Sequence, residues 1–357
     1  MTNDITTTTT GALARAGAAA NDIASRRLFE DYQHRKAHNT QKRQAADLNL
    51  FSEFLKTAKI PNAPTGAQLA TNPEAWRGVT WGIVSAFVQW LLKSSYAVGT
   101  VNVRLSTLKT YAKLAMQAGS IPESDYGAIR AVTGYRRKEA RNIDDERDLA
   151  GIHTRRTTRA GQTTKAGQPV QNVKKSAPVI IPPEKVDLLK AQPNTPQGRR
   201  DRLIMCLLLD HGFRVGELAL LTVDNFNLKA GTLTFYRPKV DKVQTHRLTA
   251  DSLEAARAYL NQEAPALGTI WRKSKKSGGE LLEPGLSVRA LTERVKYLAA
   301  AVGLSGMSAH DCRHSWASRA GRKTDPFSLQ EAGGWNSLAM PRHYIELAKI
   351  ANEGVKL

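Results

Sequence analysis

The sequence predicts a mainly α-helical protein with a small antiparallel β-sheet, arranged in two domains. The chain has 357 residues, enough for two domains that each bury a core of their own. Large apolar residues recur at helical spacing, for example Val84, Phe87 and Leu91. Two short segments rich in strand-forming residues, 233–239 and 245–249, lie close together in the chain, which is typical of a β-hairpin.

Segment 27–140 is predicted to form a small bundle of three or four helices. Thr40, Thr80 and Thr100 each precede an apolar periodic stretch and are candidate N-caps, because a threonine hydroxyl accepts a hydrogen bond from the first helical turn. Gly119 follows the third stretch and is predicted to end it. The apolar positions are interpreted as core, so a binding function would fall on the polar faces.

Two segments have compositions that predict little structure. Residues 1–26 are rich in Thr, Ala and Gly, and we expect a flexible tail, although the alanine-rich part is also compatible with a helix. Residues 141–176 are basic, with no acidic residue between Leu149 and Lys175, and we expect a linker. Its basic composition fits either contact with a polyanion or a role as an inert hinge.

The second domain, 177–357, is predicted to contain most of the helices together with the hairpin. An apolar helix is expected to end at Gly212, and Arg214 follows at the start of the next helix. The helices expected from apolar spacing cover residues 199–211, 251–262, 286–302, 308–320 and 338–350.

The charge of the chain indicates a polyanionic partner. The formal net charge is +20, from 52 Lys and Arg against 32 Asp and Glu, and such an excess favours nucleic acid through counterion release. Candidate DNA contacts on the polar faces of the first domain are Arg35, Lys36, Lys42, Arg43, Arg104 and Lys109. Each of these could instead be an ordinary solvated charge.

Cysteine content and hydropathy point to the cytoplasm. Cys206 and Cys312 are too few for a disulfide framework or a thiolate metal site. No stretch approaches the roughly 20 apolar residues of a membrane span, and the N-terminus lacks the pattern of a signal peptide. We therefore expect a cytoplasmic protein without a membrane partner.

The most informative motif pairs His310 with Arg313. Three-apart side chains share one face of a helix, and an imidazole beside a guanidinium suits a phosphate diester. Arg214 lies upstream in a Gly-Phe-Arg-Val-Gly-Glu-Leu stretch, and Trp335 and Tyr344 lie downstream.

This order of residues resembles the tyrosine recombinases, also called phage integrases. The resemblance covers 177–357 and, more loosely, 27–140, which is similar to the core-binding domain of that family. It implies that Tyr344 is the nucleophile and that Arg214 and Arg313 clamp the scissile phosphate. The other implied site residues are His310 beside the phosphate or the tyrosine, Lys239 as general acid, Trp335 as a hydrogen-bond donor to the phosphate, and Glu217 in support of Arg214.

Three of these assignments leave alternatives open. His314, one residue after Arg313, competes with His310. Lys239 is expected to end the first hairpin strand, whereas Lys242, expected in the turn, is its rival or a DNA contact. Trp335 is nearly as well explained by packing as by hydrogen-bond donation to phosphate.

The resemblance also implies partners and a reaction. The protein would be a site-specific recombinase that cuts and rejoins double-stranded DNA through a 3′-phosphotyrosyl intermediate, as a homotetramer on two sites, for a phage or mobile element. No metal or other cofactor would be needed. The alternatives are a type IB topoisomerase and a catalytically inactive DNA-binding regulator. We expect the protein to be associated with the nucleoid.

Overall fold

In a computed structural model the chain forms two compact units, residues 1–174 and 175–357. The structure describes residues 4–152, 179–275 and 280–348. Most of the predicted linker, from residue 153 to 176, lies outside the described residues. Within the described ranges, no helix is both long and apolar enough to cross a lipid bilayer.

The N-terminal unit is a helical bundle around an aromatic core. Its helices are α1 Asp4–His34, α2 His38–Thr57, α3 Gly66–Thr71, α4 Trp81–Lys93, α5 Val98–Gln117, α6 Glu123–Ala131 and α7 Arg137–Leu149. Val84, Phe87 and Leu91 of α4 are fully buried, as their spacing predicts. The Phe87 ring meets Phe51 of α2 edge-on, with 5.1 Å between ring centroids.

Only one of the three predicted threonine caps lies at a helix start. Thr80 occupies the N-cap position of α4, as predicted, but its side chain makes no capping hydrogen bond there. The predictions for Thr40 and Thr100 are wrong, because α2 begins at His38 and α5 at Val98, so both threonines lie inside the first turn. Val98 is fully buried, and its burial favours the earlier start of α5.

The boundaries expected from composition differ from those of the structure. Helix α1 runs from Asp4 to His34, across the predicted end of a flexible tail at residue 26. Alanine, the strongest helix former, is abundant there and outweighs the low apolar content. Helix α7 crosses the predicted start of the linker at 141, and its buried Arg147 donates hydrogen bonds to the carbonyl oxygens of Tyr96 and Leu92. Residues up to Leu149 therefore belong to the bundle.

The C-terminal unit is helical with two small antiparallel sheets. Its helices are α8 Pro183–Lys190, α9 Pro196–Asp210, α10 Val215–Leu218, α11 Ala250–Gln262, α12 Val288–Ala301, α13 Ala309–Gly321, α14 Pro326–Gly333 and α15 Ala339–Ala348. Its strands are β1 Phe226–Asn227, β2 Thr232–Arg237, β3 Lys242–Arg247, β4 Arg272–Ser274 and β5 Leu281–Pro284. One sheet has the order β1-β2-β3, and β4 pairs with β5. The predicted fold class is confirmed.

Helix α9 lies in the core of this unit and leads into the segment that carries Arg214. Residues 203–209 are fully buried, and each large apolar side chain buried in this way contributes about 1.5–3 kcal/mol. Gly212 ends the helical segment with φ of +63°, a conformation that glycine adopts without steric cost. Arg214 follows as the N-cap residue of α10.

Candidate active site

Arg214 is held at the start of α10 by Glu217, as the sequence predicts. The Arg214 backbone N–H donates to Glu217 Oε2 at 2.9 Å, and Arg214 Nη1 donates to Oε1 at 2.6 Å. The Glu217 side chain is buried, whereas the Arg214 side chain keeps 23% of its surface exposed. The guanidinium is therefore oriented by a buried carboxylate and still accessible to a ligand.

Arg313, on α13, is buried and held by neutral carbonyl groups. It donates to the carbonyl oxygens of Gly212 at 2.5 Å and Gly333 at 2.6 Å. Burial, reinforced by the positive charges of Arg214 and Arg237, lowers the pKa of Arg313 to about 9. A bound anion would offset both the cost of burying this charge and the repulsion from Arg214 and Arg237, so this position favours a phosphate group.

Two glycine–tryptophan contacts surround Arg313. A Cβ added to Gly212 would lie 2.2 Å from the ring of Trp316, and one added to Gly333 would lie 1.9 Å from the ring of Trp335. The Arg313 guanidinium also stands 4.6 Å from the Trp335 ring centroid, within cation–π range. Each carbonyl that binds Arg313 therefore belongs to a glycine covered by an indole.

Tyr344, in the middle of α15, is hydrogen-bonded to His314. Its hydroxyl oxygen lies 2.7 Å from His314 Nδ1, and the side chain is buried. Burial raises the pKa of Tyr344, and the charge of Arg313 opposes that rise. Burial and the neighbouring His310 lower the pKa of His314, so that His314 is neutral near pH 7 and able to accept a proton.

The two histidines of the motif lie against each other, with 4.5 Å between ring centroids. The resemblance favours His310 over His314 as the catalytic histidine, beside either the tyrosine or the phosphate, and in the structure His314 makes the hydrogen bond to Tyr344. A catalytic role for His310 stays a prediction. Its ring contacts His314, which in turn is hydrogen-bonded to Tyr344.

Trp335 follows the left-handed Gly334 and packs between two aromatic rings. Its ring stacks on Trp316 at 6.0 Å and contacts Tyr344 at 5.8 Å between centroids. The packing alternative is therefore seen directly. Donation from the indole N–H to a phosphate stays a prediction.

The structure reverses the expected positions of the two hairpin lysines. Strand β2 ends at Arg237, because Pro238 has no N–H to continue the ladder, so Lys239 lies exposed in the turn. Lys242 begins β3 opposite Arg237, and its Nζ contacts both carboxylate oxygens of Glu331 at 2.6 and 2.7 Å. The expectation that Lys239 ends the strand and Lys242 lies in the turn is wrong.

Arg237 is a component of the site that the sequence analysis missed. It is fully buried and donates from Nη1 to Glu217 Oε2 at 2.7 Å. Side chains of β2 alternate between buried and exposed, and the inward positions are Leu233, Phe235 and Arg237. An arginine at an inward position was the signal that could have identified it.

The predicted DNA contacts of the N-terminal unit differ in exposure. Arg35, Lys42 and Arg43 are exposed, whereas Lys36 is half-buried over a tyrosine ring and Lys109 donates to a backbone carbonyl. DNA contact by these residues stays a prediction.

Arg104 does not lie on a polar face. It is buried, 3.6 Å from Asp47, with its guanidinium over the Tyr96 ring. The predicted placement on an exposed face is wrong, because position 104 falls on the same helical stripe as the apolar Val101 and Leu108.

Comparison with known proteins identifies the family. The profile of the phage integrase family matches residues 180–350. The tyrosine recombinase XerD of Neisseria meningitidis serogroup B is 25% identical over 289 residues, which cover 77% of this chain and 96% of XerD. The tyrosine recombinase XerA of Pyrococcus furiosus is 30% identical over 159 residues, which cover 44% of this chain and 54% of XerA.

Solved structures share the fold. An integrase of the transposon Tn1549, in complex with transposon right end DNA, superposes with a TM-score of 0.56 at 12% identity, covering 90% of this chain and 94% of that one. A lambda integrase dimer bound to a COC′ core site gives a TM-score of 0.54 at 16% identity, covering 93% and 95%. The matched profile and the recombinase relatives show that the C-terminal unit of this chain belongs to the tyrosine recombinase (phage integrase) family.

Proposed function

We propose that the protein is a site-specific DNA recombinase in which Tyr344 attacks the scissile phosphate. The observation that carries this proposal is the 2.7 Å hydrogen bond from Tyr344 to His314 next to the buried guanidinium of Arg313. The phenolic oxygen forms a bond to phosphorus while the bond to the 5′ oxygen breaks. The products are a 3′-phosphotyrosyl ester and a strand with a free 5′-hydroxyl, and the ester preserves the energy needed to rejoin the strands.

Deprotonation of Tyr344 needs a base because burial raises the pKa of its phenol. His314 Nδ1 is in contact with that hydroxyl, and the lowered pKa of His314 keeps it neutral. We therefore assign the phenol proton to His314. His310 remains the residue that family resemblance favours, and it lies against His314.

The guanidinium groups supply the charge that the transition state needs. Arg313 and the partly exposed Arg214 would bind the non-bridging oxygens of the phosphate, where negative charge increases. Their positions are fixed beforehand by Gly212, Gly333 and Glu217.

Lys239 is the better candidate for the general acid that protonates the leaving 5′ oxygen. It lies exposed in the hairpin turn, whereas Lys242 is paired with Glu331. A lysine that is already neutralised by a carboxylate is less free to reach a DNA strand.

The partner is double-stranded DNA. The net charge of +20 supports this partner, as do the DNA complexes of the Tn1549 and lambda integrases. We further propose a homotetramer on two recombination sites, located on the nucleoid in the cytoplasm. A role in a mobile element is supported by the transposon integrase among the structural relatives.

The proposal is tested by trapping the protein on DNA. Full-length protein is incubated with fragmented genomic DNA containing nicks, which let the released strand diffuse away, and covalent adducts are isolated and sequenced. We expect one recurrent sequence attached through its 3′ end to Tyr344, and no adduct with Tyr344→Phe. Relaxation of supercoiled DNA without a recurrent sequence would favour a topoisomerase instead, and absence of any adduct would contradict cleavage.

A further inference from the structure

Arg237 has no part in the chemical steps proposed above, yet it binds the carboxylate that holds Arg214. Its Nη1 donates to Glu217 Oε2 at 2.7 Å, while Glu217 Oε1 accepts from Arg214 Nη1 at 2.6 Å. Arg237 is fully buried, and Glu217 is nearly so. One carboxylate thus joins an interior arginine to one that is accessible to a ligand.

Arg237 is fixed in position by the elements around it. Its Nε donates to Gln244 Oε1 of the neighbouring strand β3, and its Nη2 donates to the carbonyl oxygen of Ala332 in α14 at 3.0 Å. Its guanidinium lies 4.8 Å from the centroid of the Phe235 ring. At Gly334, where φ is +58°, an added Cβ would lie only 2.5 Å from Arg237 Cδ. The guanidinium therefore has little freedom to move away from Glu217.

The balance of charges around Glu217 indicates a role for Arg237. A buried carboxylate attracts any cation nearby, and the attraction is stronger in the interior than in water. If Arg214 were the sole cation on Glu217, its charge would be largely neutralised before DNA arrives. With Arg237 also bound, the carboxylate is shared, and an excess of positive charge remains at Arg214 and Arg313.

We propose that Arg237 is a positioning residue for strand cleavage, which fixes Glu217 and neutralises its charge so that Arg214 is aligned and available to the scissile phosphate. The inference rests on the proposed function, because it assumes that Arg214 binds this phosphate. It assigns to a buried residue of strand β2 an effect on the transition state that is transmitted through one carboxylate.

The test uses a pair of substitutions in the full-length protein. Single-turnover rates of covalent adduct formation are measured on the site mapped with wild-type protein, for Arg237→Gln, Glu217→Gln and the double variant. We expect Arg237→Gln to slow adduct formation about 10- to 100-fold, because Glu217 then neutralises Arg214. We expect the double variant to be about tenfold faster than Arg237→Gln, because removal of the carboxylate charge frees Arg214 again.

A merely structural role predicts the opposite order, with the double variant no faster than Arg237→Gln. That result, or an unchanged rate in Arg237→Gln, overturns the inference. If Arg237→Gln does not fold, the double variant still decides the question, because it buries no unpaired charge. A folded double variant without activity is then the contradicting result, and one within about tenfold of wild type supports the inference.

Arg200→Gln is the matched control. Arg200 is equally buried in the same unit and is also paired with a carboxylate, Asp201, at 2.8 Å. We expect its loss to lower the melting temperature but to leave the adduct rate per folded molecule within about threefold of wild type. Absence of an adduct with the wild-type protein would contradict the proposed function itself, and the two failures are therefore distinguishable.

Discussion

Two buried arginine–carboxylate clusters in the described part of the C-terminal unit differ in their charge balance. At Asp201, Oδ1 accepts from Arg200 and Oδ2 accepts from Arg294. At Glu217, the two oxygens accept in the same way from Arg214 and Arg237. Both carboxylates are fully used by two guanidiniums.

The difference is a further arginine beside the second cluster. Arg313 is bound to backbone carbonyls and lies close enough to Arg214 and Arg237 for their charges to lower its pKa. A buried arginine with a carboxylate partner is therefore ordinary structure. Arg313 instead binds neutral backbone carbonyls, and both oxygens of the nearby Glu217 already accept from other arginines. The positive charge of Arg313 is therefore left for a ligand.

The largest effect that would break this comparison is expected from Arg313→Lys. A lysine has one compact charge and cannot donate to both glycine carbonyls and a phosphate in the geometry of the guanidinium. We expect adduct formation to slow by about 10³-fold. The control is Arg294→Lys in the Asp201 cluster, for which we expect less than about a threefold change in adduct rate. Similar losses in both variants would show that the two clusters do not differ in function.

The hairpin lysines give the next largest contrast, measured as adduct formation on intact DNA. We expect Lys239→Ala to slow cleavage by about 10²-fold, because the leaving 5′ oxygen would lack its proton donor. Lys242→Ala removes a lysine already paired with Glu331, and we expect a change of less than about threefold. A DNA strand with a sulfur at the 5′ bridging position, which leaves without a proton, should restore the rate of Lys239→Ala. Failure of that rescue would argue against the general-acid role.

The pH dependence of cleavage tests whether His314 or His310 is the base at the second cluster. His314 must be neutral to accept the proton of Tyr344, and its pKa lies below the ordinary value for histidine. We therefore expect the adduct rate to stay constant as pH falls to about 6.5 and to decline only below that value. His314→Gln should slow cleavage by about 30-fold and abolish this decline. A decline that persists in His314→Gln but disappears in His310→Gln would assign the base to His310.

His211 provides a structural counterpart, with an effect on folding rather than on cleavage. It is buried against Ser252, and burial lowers its pKa to about 4. The unfolded chain binds a proton near pH 6.5, so stability present above that pH is lost as pH falls towards 4. We expect a loss of at most about 3 kcal/mol in the free energy of unfolding. Chemical denaturation at several pH values should show a smaller loss for His211→Gln, and an equal loss would contradict this account.

Local sequence patterns were sufficient for much of the fold and for the neighbourhood of Arg214. The apolar run of α9, the glycine that ends it and the glutamate three residues beyond Arg214 all act within a few residues, so their geometry follows from helix rules. The boundaries of α1 and α7 were less predictable, because composition alone does not show which helices find a partner.

The parts of the site that were missed depend on contacts between distant segments. Arg237 meets Glu217 across 20 positions and Ala332 across 95, and no local pattern reports these distances. The choice between His310 and His314 depends on where α15 lies against α13. The predicted positions of Lys239 and Lys242 were wrong for a local reason, since Pro238 ends the hydrogen-bonded ladder earlier than the run of strand-forming residues suggests.

The contacts of Gly212 with Trp316 and of Gly333 with Trp335 have a consequence for how relatives of this chain are able to diverge. At each place the indole occupies the volume that a methyl group would need, so neither partner of a pair is free to change in size alone. We expect a larger residue at position 333 only where position 335 carries a smaller one, whereas the φ of +63° favours glycine at position 212 whatever residue faces it. A change of side-chain size at Trp316 would shift the Gly212 carbonyl that Arg313 binds, and would therefore alter the reactivity of the enzyme through a residue that the proposed mechanism does not place on DNA.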